Sequence, residues 1–181
     1  LYVTPSLRRN HAALFQTVAE AFRSDHLQIH SAGIASLRQN ADVVEQVERH
    51  NMTQAVHFTG SVPHESLPAY YRLADVYTHS SIYEGLGKVM IEAAASGLPV
   101  VSTRTAGAAE IVIEGETGLL CQVEDAADMA SKIVTLLTDP ARARRMGTAG
   151  RAFVLEKFDH THNLDAVVDT WRRCAALGGG R

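Results

Sequence analysis

The sequence predicts an α/β fold: a doubly wound, Rossmann-like parallel sheet with helices on both faces and further helices at the carboxyl end. Three observations carry this. Short runs of β-type residues alternate with amphipathic helical stretches, the pattern of βα units around a parallel sheet. Val100-Val101-Ser102, entered through Gly97-Leu98-Pro99, reads as a buried strand. Between these lies a strand-to-helix junction built on a Gly-x-Gly turn, Gly85-Leu86-Gly87.

The elements follow in order. Leu1-Tyr2-Val3-Thr4 is a truncated strand, and Asn10 caps a helix whose Leu14, Phe15, Val18 and Phe22 share one face. Leu27 to Ala32 reads as a strand, Ala41 to His50 as a helix, and Val56 to Gly60 as a strand stopped by its glycine. Leu67 to Ala74 is a short helix, with Pro68 tolerated in its first turn. Asp75 to His79 is the next strand, followed by a helix from about Leu86 to Ser96. Gly107 to Ile113 forms a short helix, and Gly115 to Gly118 turns the chain into a strand at Leu119-Leu120-Cys121. Asp125 caps an amphipathic helix bearing Met129, Ala130, Ile133, Val134 and Leu137. Asp139-Pro140 restarts the chain as a new helix, whose Arg142, Arg144, Arg145 and Arg151 form a solvated basic face. A last helix runs from about Thr161 to Ala176, so the domain spans 1–176, and residues 177–181 are expected to be a disordered tail.

With 181 residues, 46% of them hydrophobic, the chain can bury one sizeable core. A net charge of -3, from 17 basic and 20 acidic residues mixed along the chain, argues against general nucleic-acid binding. No apolar run approaches the roughly 20 residues of a membrane span, and nothing reads as a signal peptide. Cys121 and Cys174 lack metal or redox spacing, which fits reduced thiols in a cytoplasmic protein. Because the chain begins with Leu1 inside a strand, it is expected to be a fragment.

The segment that carries chemistry is Tyr83 to Ala93. Glu84 and Glu92 stand eight residues apart, with the glycine turn between them opening a helix. Glycines there let a ligand approach the backbone, and the first amides of a helix have no internal partner. Such amides suit a phosphate or diphosphate, and carboxylates on either side suit sugar hydroxyls. A plainer reading is also open. One Gly-x-Gly is a weak signal, Lys88 and Glu92 have the spacing of a surface ion pair, and Leu86, Val89, Met90 and Ala93 have the spacing of core residues. Position favours the ligand, because the segment follows a strand and ligands bind at carboxyl ends of strands where strand order reverses.

These residues resemble the C-terminal, donor-binding half of the retaining glycosyltransferases of family four, the group 1 enzymes with the two-domain GT-B fold. The resemblance runs from Tyr2 to about Trp171. Arg8-Arg9-Asn10-His11 is similar to the basic segment opening the first helix, and Val56 to Gly60 to the strand leading to the nucleobase pocket. Ala74-Asp75-Val76 resembles the family's strand start. Glu84 to Glu92 with Gly97-Leu98-Pro99-Val100-Val101 resembles its long signature. Glu110-Ile111-Val112 and Thr117-Gly118-Leu119-Leu120 are similar to the segment that closes the site.

The resemblance implies a role for each matching position. Glu84 would bind donor-sugar hydroxyls and Glu92 the ribose hydroxyls. Amides around Leu86, Gly87, Lys88 and Val89 would hold the distal phosphate. Arg9 would neutralise the diphosphate leaving group, where an enzyme using no metal or other cofactor gains most of its rate. Ser61 and Val62 would line the base pocket. The departures are as specific. Val3-Thr4 stand where the family has Gly-Arg, Arg9 replaces a lysine, Ser80-Ser81 replaces Pro-Ser, and Leu86 replaces an aromatic.

Of the nine histidines, none forms a metal set. All read as surface or packing residues; His79, at the end of a strand beside the turn, is the one that could touch a ligand. There is no nucleophile elbow and no P-loop. Two functions are therefore expected. One is the donor half of an enzyme moving a hexose from a UDP-, GDP- or ADP-sugar to a hydroxyl of a glycan, lipid or small molecule. In that case an absent N-terminal domain supplies the acceptor site, and the isolated domain is inactive. Any membrane contact, peripheral at the inner face, would belong to the absent half. The alternative is a non-catalytic nucleotide-binding or structural module of the same fold, which Thr4 favours.

Overall fold

The computed structural model describes residues 2–4, 29–32, 41–49 and 51–178. The expected helix after Asn10, the segment Arg8 to His11 and residues 179–181 lie outside them. Among the described residues the strands are β1 (Tyr2–Thr4), β2 (Ile29–Ala32), β3 (Val56–Gly60), β4 (Tyr77–His79), β5 (Val100–Thr103) and β6 (Gly118–Cys121). The helices are α1 (Ala41–Arg49), α2 (Leu67–Leu73), α3 (Lys88–Ala95), α4 (Ala106–Ile111), α5 (Ala126–Thr138), α6 (Pro140–Lys157) and α7 (His160–Gly178).

The strands form one sheet in the order β3-β2-β1-β4-β5-β6, and every pair is parallel. Chain order reverses between β1 and β4, which creates a crevice at their carboxyl ends. The register there sets Thr4 opposite His79. Position and motif therefore meet at one place.

Alternation along the strands divides the core in two. Val101, Leu119 and Cys121 pack with Met129, Ala130, Ile133 and Leu136 of α5 on one face. Tyr77, Val100 and Leu120 pack with Met90, Ala93 and Ala94 of α3 and Ala108 and Ile111 of α4 on the other. Helix α6 serves both, giving Ala143 and Met146 to the first cluster and Val154 to the second. On α5 the buried residue of the last turn is Leu136, with Leu137 only partly buried.

Local chemistry sets the ends. The Asp125 carboxylate accepts the Asp128 amide at 2.9 Å, and the Asp139 carboxylate accepts the Arg142 amide at 2.9 Å, capping α5 and α6 as expected. Helix α3 ends in a Schellman turn. Gly97 has φ +86°, its amide reaches the Ala94 carbonyl at 2.8 Å, and the Leu98 amide reaches that of Ala93 at 3.1 Å. Helix α3 begins at Lys88 and not at Leu86, because Gly87, with φ -75° and ψ 75°, is outside helical geometry. Strand β4 is shorter than expected, and α7 runs on to Gly178, so residues 177 and 178 are helical instead of disordered. The basic face of α6 is not wholly solvated in function: the Arg151 guanidinium donates to the Ala95 carbonyl, capping the end of α3.

Candidate functional site

The site is the loop from Ser80 to Gly87, which carries the chain from the end of β4 into α3. Its first residues are fixed. Ser80 and Ser81 are buried, and the Thr103 hydroxyl at the end of β5 donates to the Ser81 carbonyl. Its middle is held from above by α4, where the Gly107 amide donates to the Glu84 carbonyl at 3.1 Å. Thr105 caps that helix by accepting the Ala108 amide at 3.2 Å. Two glycines shape the rest. A side chain at Gly87 would run into the Met90 methyl, whereas one at Gly85 would meet nothing within 4 Å. A side chain at Gly87 would therefore require the flexible end of Met90 to shift, while Gly85 leaves the backbone open.

The amides of Gly85, Leu86, Gly87 and Val89 have no acceptor among the described residues. The Lys88 amide is not free as expected: it donates to the Leu86 carbonyl at 2.9 Å. Met90 and Ile91 both donate to the Gly87 carbonyl, at 2.8 and 3.2 Å. What remains is a short run of unsatisfied donors, enough to hold an anion against the loop.

The two carboxylates flank this run and are held differently. Glu84 Oε2 lies 3.0 Å from His79 Nε2, while Oε1 has no partner among the described residues. Ser81 Oγ stands 2.8 Å from the same nitrogen, and the Tyr77 hydroxyl 3.5 Å from Nδ1. Burial pushes the His79 imidazole below its usual pKa, with the Glu84 hydrogen bond and charge opposing. Glu92, one turn into α3, has both oxygens engaged. Oε2 accepts the hydroxyl of buried Tyr71 of α2 at 3.2 Å, and Oε1 lies 3.2 Å from Nε2 of exposed His64. His64 opens a 3-10 turn directly after Ser61-Val62-Pro63. Glu92 is therefore tied to the loop that carries Ser61, exposed, and Val62, partly buried.

Several expectations change. Lys88 makes no ion pair with Glu92 among the described residues, because Tyr71 and His64 hold that carboxylate. Leu86 is 45% exposed instead of in the core, since it precedes the helix and lies on the loop's outer surface. Val89, Met90 and Ala93 do pack inward. His79 is 4% exposed and sits behind Glu84. Arg9 lies outside the described residues. The roles of His79, Tyr71 and His64 were missed. Strand alternation, which puts Tyr77 and His79 on one face, could have suggested the first. No local pattern could pair Glu92 with residues 21 and 28 positions away.

Comparison with known proteins identifies the family. The model for glycosyl transferases group 1 matches residues 9–153. Glycogen synthase of Mycobacterium tuberculosis is 34% identical over 86% of this chain and 34% of its own length. A GDP-mannose-dependent α-(1-6)-phosphatidylinositol monomannoside mannosyltransferase of Mycolicibacterium smegmatis is 39% identical over 59% of this chain and 30% of its own length. The chain spans about a third of the length of these relatives. The structure of sucrose-phosphate synthase from Thermosynechococcus elongatus superposes with a TM-score of 0.83 at 29% identity, covering 98% of this chain and 46% of that one. The sheet, its helices and the order of the motifs are those of a Rossmann-like GT-B domain, and the chain belongs to the group 1 glycosyltransferases.

Proposed function

We propose that this chain is the donor-binding, C-terminal domain of a retaining, family-four glycosyltransferase that moves a hexose from a nucleotide-diphosphate sugar to an acceptor hydroxyl. One observation carries the reading. Glu84 and Glu92 flank a run of unsatisfied amides at the crevice where strand order reverses. The GDP-mannose dependence of the mycobacterial relative supports a nucleotide sugar as the substrate.

In this reading the diphosphate lies on the amides of Leu86, Gly87 and Val89. Glu84 accepts hydrogen bonds from the sugar through its open oxygen, and Glu92 accepts them from the ribose. Ser61 and Val62 flank the base. Lys88 contributes charge at the mouth. Arg9 stabilises the departing diphosphate, so that positioning and electrostatics supply the rate and neither metal nor cofactor is called for. The acceptor is a glycan, lipid or small molecule, bound by an N-terminal domain outside this chain, and domain closure completes the site. The chain alone binds donor and turns over little, and it works in the cytoplasm. Among the described residues no helix is long and apolar enough to cross a membrane.

A second reading has its own observation. Thr4 stands opposite His79 in the crevice, where the resembling enzymes carry a second cation. A non-catalytic nucleotide-binding module would tolerate that change.

Calorimetric titration with UDP, GDP and ADP tests the proposal. One nucleotide is expected to bind, and Glu92→Ala to weaken it about tenfold or more. Absence of binding both by this chain and by a longer protein containing it would remove the donor-site reading. Binding with no transfer or donor hydrolysis by the longer protein would favour the second one.

A further inference from the structure

We infer that His79 is a positioning residue for Glu84: it holds one oxygen of that carboxylate from beneath and leaves the other directed to the donor sugar. The inference rests on the donor-site reading above. Glu84 lies on a loop, where a carboxylate on a flexible stem would sample many orientations. His79 lies in strand β4, pinned on both sides by β1 and β5. A strand-borne group holding a loop-borne one transfers the rigidity of the sheet to the site.

The chemistry fixes which nitrogen carries the proton. A carboxylate oxygen 3.0 Å from Nε2 only accepts, so Nε2 must donate. The Ser81 oxygen, 2.8 Å from the same nitrogen, takes a share of that N–H and sets the ring plane. Burial keeps the ring uncharged, which leaves Nδ1 as an acceptor facing the Tyr77 hydroxyl at 3.5 Å. The Tyr77 and His79 rings stack with centroids 6.4 Å apart and planes 15° from parallel, which limits rotation of the imidazole. Glu84 Oε2 is thereby occupied, and Oε1 is the oxygen left for a hydroxyl. The arrangement should matter only for the part of the ligand that touches Glu84.

Two measurements test this. The first needs no ligand. Long-range nitrogen–proton NMR of the imidazole in this chain should show His79 as the neutral Nε2–H tautomer, with its Nε2 signal displaced by Glu84→Gln. An Nδ1–H tautomer, or a signal indifferent to Glu84→Gln, would overturn the inference. The second compares UDP, GDP and ADP with UDP-glucose, GDP-mannose and ADP-glucose in calorimetry, using wild type, His79→Leu and His79→Gln. For the base that binds, His79→Leu should weaken the nucleotide sugar about tenfold while leaving the bare nucleotide within about twofold. His79→Gln, which keeps an N–H near the Nε2 position, should recover most of the loss. Equal weakening of nucleotide and nucleotide sugar would show a merely structural role and overturn the positioning claim. If wild type bound no nucleotide, either as this chain or within a longer protein containing it, the donor-site reading would fail, and the NMR experiment alone would decide whether His79 holds Glu84.

Discussion

The Gly107 amide donates to the Glu84 carbonyl at 3.1 Å, and a Cβ on Gly107 would stand 2.6 Å from the Gly85 carbonyl oxygen and 2.8 Å from that of Glu84. Helix α4 thus rests directly on the loop that carries the open amides. Close approach of two backbones leaves no room for a methyl, so Gly107→Ala must push the loop outward. Overpacking of this kind costs about 1–3 kcal/mol. The expected outcome is that loss in urea denaturation together with weakened nucleotide-sugar binding. A variant with wild-type affinity would show that the loop does not need this support.

Glu92 lies between a buried partner and an exposed one. The Tyr71 hydroxyl holds Oε2 from the core, while His64, 83% exposed, contacts Oε1 directly from the solvent side. Each carboxylate oxygen has lone pairs for more than one donor, so Tyr71 can keep its bond while a ribose hydroxyl arrives. Tyr71→Phe should lower nucleotide affinity by ~0.5–1.5 kcal/mol, the net worth of one hydrogen bond. His64→Ala should leave thermal stability unchanged and alter affinity less than Tyr71→Phe, since contacts between exposed side chains contribute little. The reverse order in calorimetry would place the anchoring contact on His64.

How much of this was legible in the sequence depends on the range of the interaction. The Asp125 and Asp139 caps, the Gly97 stop and the alternation of strands and helices in a doubly wound fold are local or periodic, and they read directly from residue types, whereas the order of the strands in the sheet does not. The two carboxylates and the glycine turn were legible as a motif. Their partners were not. Tyr71 and His64 come to Glu92 only because α2 packs beside α3, and Arg151 reaches Ala95 across 56 residues. The start of α3 was misplaced for a different reason: Gly87 has non-helical dihedral angles, which helical spacing of apolar residues does not encode.

Acid should weaken the fold in a definite window. Burial lowers the His79 pKa from 6.5 in spite of Glu84, so below that value the unfolded chain binds a proton the folded one resists. Stability therefore rises with pH from the lowered folded value up to about 6.5 and is independent of this group above it. Asp128, held below 3.8 chiefly by its hydrogen bond from Lys132, shifts in the same direction, but for a carboxylate a lowered pKa stabilises the fold. Its contribution is present above 3.8 and is lost as pH falls through its folded value, well below the 6.5 at which the His79 effect begins. Urea midpoints at a series of pH values should show the upper slope in wild type and a flatter one in His79→Leu. An unchanged slope in that variant would assign the effect to another group.

The two cysteines should differ sharply toward thiol reagents. Cys174 is exposed on α7. Cys121 is buried in β6, with Sγ 3.3 Å from the Ser102 carbonyl oxygen, and burial, reinforced by the Asp128 charge, pushes its thiol up to about 12. The reactive species is the thiolate, so both low access and low ionisation protect Cys121. Iodoacetamide at neutral pH should label Cys174 alone in the native chain and both residues in denaturant, as read by peptide mass spectrometry. Because β6 is an edge strand covered by α5, slow native labelling of Cys121 would report opening of that pair. Destabilising Asp125→Ala, which removes the α5 cap at a cost of about 0.5–2 kcal/mol, should accelerate it. Labelling of Cys121 as fast as Cys174 in the native chain would mean that β6 and α5 do not form the packed edge on which this face of the core depends.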